Sequence, residues 1–108
     1  MRLKWAYLKG GLQNIEEAQR IFLEVLGRKN PDLEDWKDEG EVEEVQIHVD
    51  SYLYLGEKVV IDLLQRLKEK GLLLRLELGG LIFKSSHPEV EEKVMRWARE
   101  NGLMARNP

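Results

Sequence analysis

Hydrophobic and polar residues alternate along three stretches of the chain, and this period of two is typical of a β-strand with one buried face. The sequence predicts strands over residues 2–8, 45–49 and 72–78. The apolar positions of these stretches are Leu3, Trp5, Tyr7, Val45, Ile47, Val49, Leu74, Leu76 and Leu78. We therefore expect these side chains, including the rings of Trp5 and Tyr7, to face the core.

Apolar residues recur at helical spacing in three other stretches, which predicts three amphipathic helices. Their apolar stripes are Ile15, Ala18, Phe22, Val25 and Leu26; Val60, Leu63, Leu64 and Leu67; and Val90, Val94, Trp97 and Ala98. Asn14 and Ser86 are predicted N-caps. Gly27 or Asn30 is predicted to end the first helix, and Gly71 and Gly102 stand where the other two helices commonly end. Residues 51–56 fit either a continued strand or an early helix start.

The order of these elements predicts the fold. Gly79 and Gly80 are typical of a two-residue hairpin, which adds a fourth strand over residues 81–84. Right-handed crossovers favour parallel or nearly parallel pairing of the first three strands. Each strand has one apolar and one polar face, so we expect helices on one face only. The prediction is one α+β domain over residues 1–108: a two-layer sandwich with a four-stranded mixed sheet, in the order β-α-β-α-β-β-α.

Composition narrows the class of protein. A chain of 108 residues with 43% hydrophobic and 34% charged residues can bury a core without disulfides. It has no cysteine, which excludes thiolate chemistry and cysteine-ligated metals. No apolar run reaches the roughly 20 residues of a membrane span, and no secretory signal is visible, so we expect a cytoplasmic protein. The lack of threonine and the many charged residues resemble thermophile surfaces, or a designed chain.

The polar positions of the strands define the predicted open face of the sheet, which carries Arg2, Lys4, Gln46, His48, Arg75, Glu77 and Lys84. Its basic members, Arg2, Lys4, Arg75 and Lys84, could contact a nucleic-acid backbone. The net charge of −3 and the inward direction expected for the aromatic rings oppose this interpretation. A mixture of both charge signs suits a two-fold homodimer surface better.

Two histidine-containing stretches are candidates for chemistry. His48 would share a strand face with Gln46 and Asp50. A histidine oriented by such neighbours could act as a general base. Ser85, Ser86 and His87 are adjacent, but helix capping explains Ser86 without catalysis. Neither stretch supplies the three or four ligands of a metal site, and we expect no metal and no cofactor.

Two loops have functional alternatives. Gly10 and Gly11 could offer backbone N–H groups to a phosphate, although no phosphate-loop motif follows and a structural turn is favoured. Residues 30–44 are rich in Asp and Glu. These carboxylates flank Leu33 and Trp36, and together they could dock a basic partner. The competing interpretation is a solvated loop with Trp36 packed on the core. The stretch does not match a calcium-binding loop, because Lys37 occupies a position where such a loop needs a ligand.

We therefore expect a small interaction or regulatory domain that self-associates as a homodimer through the open sheet face or an edge strand. The first alternative is an RNA- or DNA-binding module that uses the basic residues of that face. The second is a small enzyme centred on His48 and Asp50. The absence of an assembled catalytic set makes an enzyme the less favoured class.

Overall fold

The computed structural model describes residues 2–30, Leu33, residues 43–80 and residues 87–103, except for the side chains of residues 2–4, 50 and 78–80. The strands β1 (Arg2–Lys9), β2 (Glu44–His48) and β3 (Leu73–Gly80) form an antiparallel sheet in the order β2-β1-β3. The helices with described bounds are α1 (Leu12–Leu26), α2 (Glu57–Glu69) and α3 (Pro88–Glu100). A 3₁₀ helix (Val49–Leu55) joins β2 to α2. The fold is α+β.

One face of the sheet packs against the helices in a single hydrophobic core. The sheet contributes Ala6, Leu8, Val45, Ile47, Leu73 and Leu76. The helices contribute Ile15, Ala18, Ile21, Phe22, Val60, Leu63, Leu64, Leu67, Val94 and Ala98. The buried helix residues largely follow the predicted stripes, because helical spacing of apolar residues fixes which side of a helix can be buried.

The predicted direction of the strands is wrong. β1 is the central strand, and it pairs antiparallel with both β2 and β3. The Gly10 N–H donates to the Glu43 carbonyl at 2.8 Å, so β2 begins at the end of the sheet where β1 finishes. β2 and β3 therefore run in the same direction on either side of β1. The crossover rule for parallel strands thus concerns β2 and β3 and not the pairs that include β1.

The predicted four-stranded sheet and its hairpin are also wrong. Among the residues that the structure describes, the sheet has three strands. Gly79 and Gly80 extend β3, where their backbones pair with those of Leu3 and Arg2. Pairing with the full length of β1 supplies hydrogen bonds that a turn at this point would forgo. Residues 81–84, the predicted fourth strand, lie outside the described residues.

The buried face of β1 is the reverse of the predicted one. Ala6 and Leu8 are 0% and 1% exposed and face the helices, opposite Ile47 and Val45 of β2. Trp5 and Tyr7 lie on the other side of the strand. Both faces of β1 carry apolar residues, so alternation alone does not determine which face is buried. The prediction for Val45, Ile47 and Leu76 is confirmed, because all three are buried.

A bulge explains the one exception to alternation in β3. Tyr7 pairs with Arg75, whereas the next residue, Leu8, pairs with Leu73. Leu74 is therefore an extra residue in the ladder. It is 41% exposed, against the prediction that it faces the core.

The helix ends match the predictions in part. Gly27 ends α1 in the left-handed region at φ +73°, as its lack of a side chain allows. The predicted cap at Asn14 is wrong, because α1 begins at Leu12 and the Asn14 amide donates to the Gly10 carbonyl at 2.8 Å. His87 is the N-cap of α3, and Ser86 lies outside the described residues.

Candidate functional site

The side of the sheet turned away from the helices collects most of the polar and aromatic strand residues. We call it the outer face, and it consists of Trp5, Tyr7, Lys9, Glu44, Gln46, His48, Arg75 and Glu77. None of these residues belongs to the hydrophobic core cluster. Side chains alternate between the two faces along each strand, and each member of this set pairs across the strands with another member.

At one end of the outer face, an aromatic pair joins β1 to β2. Trp5 pairs with His48, and their ring centroids are 5.2 Å apart with the planes tilted by 45°. Both residues are half-buried. The His48 Nε2 is buried and has no hydrogen-bond partner among the described residues. A buried ring nitrogen without a hydrogen-bond partner costs free energy, so this end of the face is not optimised for stability alone.

In the middle of the outer face, an arginine crosses the central strand. The Arg75 guanidinium lies 4.0 Å from the centroid of the Tyr7 ring. It then donates to both carboxylate oxygens of Glu44, at 2.8 and 3.0 Å. The cation–π contact and the two-point ion pair therefore tie β3 to β2 over Tyr7, which is 9% exposed.

These contacts shift three pKa values. The hydrogen bonds from Arg75 lower the pKa of Glu44, and the same pair raises the pKa of Arg75. The pKa of Tyr7 is raised, first by its hydrogen bond to Glu77 and then by burial and the negative charge of Glu77. The shifts of Glu44 and Arg75 both favour the charged forms of this pair. Two cations, Lys9 and Arg75, stand against two carboxylates, Glu44 and Glu77.

Three of the predicted contact residues meet on this face: Gln46, His48 and Arg75. The backbones of Arg2 and Lys4 belong to β1 and pair with Gly80 and Leu78. The alternation that assigned Arg2 and Lys4 to the open side is reversed at Ala6 and Leu8. The side chains of Arg2 and Lys4, and the whole of Lys84, lie outside the described residues.

The predicted grouping of His48 with Asp50 loses its structural basis. β2 ends at His48, and Asp50 belongs to the 3₁₀ helix, so the i,i+2 spacing of an extended strand does not apply. The Ser51 hydroxyl donates to the His48 carbonyl at 2.7 Å and closes this turn. Ser85 lies outside the described residues, as does Ser86.

The predicted docking loop is described at one residue only. Leu33 is 0% exposed and belongs to the core cluster, which favours a packing role over a contact with a partner. Trp36 lies outside the described residues. The Gly10–Gly11 turn is held by the Asn14 amide, and Gly11 has φ +103°, so the glycines serve the turn geometry.

Sequence reasoning missed Trp5 and Tyr7 as members of the site. The available signal was chemical: Trp and Tyr carry polar groups and tolerate half-burial, whereas Leu8 gains most from full burial. The pairing of Glu44 with Arg75 was also missed, because it depends on two strands that are distant in sequence.

A separate cleft of about 490 Å³ lies where α2 and α3 begin. Its lining includes Leu55, Gly56, Val90 and Lys93, and the Lys93 ammonium contacts the Glu57 carboxylate at 2.9 Å. Glu57 thereby balances the charge of Lys93 and raises its pKa, and Glu57 and Glu89 would repel an anion there. None of the predicted site residues lines this cleft.

The described residues lack both a metal-binding cluster and a membrane-spanning helix. They contain no group of three or more His, Cys, Asp or Glu side chains that could hold a metal ion. No described helix has both the length and the apolar character that crossing a bilayer requires. Comparisons of the chain with protein-family models, with curated proteins and with solved structures found no match.

Proposed function

We propose that this chain is a protein-interaction domain that self-associates, and that its contact surface is the outer face. The observation that carries the proposal is the position of Trp5, Tyr7 and Arg75 together on the side of the sheet away from the helices. Trp, Tyr and Arg are the residue types most enriched at the energetic centres of protein interfaces.

The charges of the outer face support a second copy as the partner. Two cations and two carboxylates lie on it, so a two-fold axis can set each charge against its opposite. A basic or an acidic partner would instead meet like charges. A cytoplasmic location belongs to this proposal and is testable by cell fractionation.

The test is the molecular mass of the chain across a range of concentrations, measured by sedimentation equilibrium. The wild type associates as concentration rises, and Trp5→Ala weakens the association about 30-fold, the equivalent of a 2 kcal/mol hot spot. Trp97→Ala is the matched control. Trp97 is also half-buried, but it lies on α3 and donates to the Gln65 side chain at 3.1 Å.

Two results would overturn the proposal. One is a wild type that stays monomeric at every concentration. The other is an equal loss of association in Trp5→Ala and Trp97→Ala, which would mean that general destabilisation and not the outer face is responsible.

A second candidate is single-stranded nucleic-acid binding, favoured by one observation. Trp5 and Tyr7 lie on the central strand of an open sheet face, and RNA-binding sheets stack bases on such rings. The opposing observations are that Arg75 covers Tyr7 and is already paired with Glu44. A gel shift with mixed-sequence RNA at low salt decides: a shift that weakens steeply with salt and disappears in Trp5→Ala supports this candidate.

A further inference from the structure

Lys9 differs from the other charged residues of the outer face in its contacts. It lies on β1, and its side chain is exposed. Its cross-strand neighbour is Glu44, but both carboxylate oxygens of Glu44 accept hydrogen bonds from Arg75, at 2.8 and 3.0 Å. Among the residues that the structure describes, Lys9 forms no salt bridge. Its ammonium group is therefore free to contact another molecule.

Glu77 is the carboxylate at the opposite end of the outer face. It pairs across the strands with Trp5, two positions before Tyr7 on β1, whereas Lys9 lies two positions after Tyr7. Glu77 is half-buried, and it accepts a hydrogen bond from the Tyr7 hydroxyl, which leaves other acceptor sites on its carboxylate. The spacing of residues and strands sets the Cα atoms of Lys9 and Glu77 about 14 Å apart, so the two charges do not pair within one copy.

Tyr7 lies midway between these two charges, and this spacing suits a two-fold axis. An axis that crosses the strands at Tyr7 turns β1 of a second copy antiparallel to β1 of the first, so that Lys9 of one copy lies over Trp5 of the other. Glu77 is the cross-strand neighbour of Trp5 and is then within reach. An axis along β1 would instead set Lys9 over its own counterpart, with like charges in contact. Charge complementarity therefore favours the axis across the strands.

We propose that a second copy packs on the outer face in this orientation, and that Lys9 of each copy forms an ion pair with Glu77 of the other. Packed sheets lie about 10 Å apart, a distance that the side chains of Lys and Glu span together. The methylene groups of Lys9 cross the ring of Trp5 on the way to Glu77, which uses the indole as a packing surface. This inference rests on the proposed self-association, and it adds the orientation of the two copies and the residues that select it.

Arg75 lies closest to the proposed axis, and its charge is compatible with this packing. Its cross-strand neighbour is Tyr7, so the Arg75 side chains of the two copies approach each other. Each guanidinium is already paired with Glu44 of its own copy. Two neutral ion pairs therefore meet at the axis, and the repulsion between two unpaired cations is avoided.

Charge reversal tests the ion pair by sedimentation equilibrium at low salt. Lys9→Glu and Glu77→Lys each set like charges against each other, so each is expected to weaken association at least about 10-fold. An equimolar mixture of the two variants associates again, because both ion pairs of the mixed dimer then join opposite charges. Lys58→Glu is the matched control. Lys58 is an exposed lysine on α2, and its reversal changes the net charge equally without weakening association.

The outcomes separate this inference from the outer-face proposal. If Trp5→Ala weakens association but Lys9→Glu associates as tightly as the wild type, the outer face stands and the ion pair is wrong. A mixture of Lys9→Glu and Glu77→Lys that stays monomeric also overturns the ion pair, provided that circular dichroism shows both variants folded. If Glu77→Lys does not fold, Glu77→Gln replaces it, since the amide keeps an acceptor for Tyr7. Unchanged association in Glu77→Gln then overturns the ion pair. A monomeric wild type contradicts both proposals.

Discussion

The side chains on the two faces of the sheet make different kinds of interaction. The face toward the helices carries residues such as Ala6, Leu8 and Ile47, each no more than 1% exposed, and it is held by burial alone. The outer face carries Tyr7, Arg75 and Glu44, which a cation–π contact and an ion pair join. The first face therefore contributes most of the burial that stabilises the fold, and the second is the face that we propose for self-association.

The largest expected effect is a loss of stability on β2, where neighbouring residues lie on opposite faces. Ile47→Ala removes a fully buried side chain and leaves a cavity, so we expect a loss of about 2–5 kcal/mol in the free energy of unfolding. Gln46→Ala, the adjacent position on the outer face, should change it by less than about 0.5 kcal/mol. Urea unfolding at a concentration where the chain is monomeric measures both. Equal losses would contradict the assignment of faces.

A smaller effect is expected at Tyr7, on the outer face. Tyr7→Phe keeps the ring under Arg75 but removes the hydrogen bond to Glu77, at a cost of about 1 kcal/mol. The pKa of Tyr7 is raised in the folded chain, so its stabilising contribution is complete below the ordinary value of 10.0 and is lost as pH rises through the folded value. Absorbance of the phenolate during a pH titration of wild type and Tyr7→Phe follows this change. A Tyr7 that ionises at or below its ordinary pKa would contradict the contact.

The smallest effect is expected for Glu44→Gln. Both side chains of the Arg75–Glu44 pair are 38% exposed, so solvent screens much of their attraction. The pKa of Glu44 is lowered on folding, so the pair stabilises the chain above the ordinary value of 4.5, and this contribution is lost as pH falls through the folded value. The difference in unfolding midpoint between wild type and Glu44→Gln should vanish in acid and shrink at high salt. A difference that persists in acid would require another cause.

Sequence reasoning reached much of the core but not the four-stranded mixed sheet that it predicted, because helical spacing fixes a buried stripe without reference to the rest of the chain. The stripe of α2 (Val60, Leu63, Leu64 and Leu67) is buried as predicted. Sequence reasoning failed for β1. Alternation divides the residues of this strand into two faces, but both faces have apolar members. Which face met the helices was decided by the neighbouring strands, since Ala6 lies between Ile47 and Leu76.

The same limit applied to the candidate site. Gln46, His48 and Arg75 were assigned to the polar side from local alternation, and the structure places all three on the outer face. Their neighbours Trp5 and Tyr7 were assigned to the core. Strand order and register bring residues such as Arg75 and Glu44 together across 31 positions of sequence, and no local pattern specifies that contact.

The most direct test of the central claim, that the outer face is the surface of self-association, is a dilution series followed by ¹H–¹⁵N NMR. We predict that the indole N–H of Trp5 and the guanidinium signals of Arg75 shift with concentration, while the indole N–H of Trp97 stays constant. Concentration-dependent shifts confined to the helices, or spectra that do not change on dilution, would contradict the account.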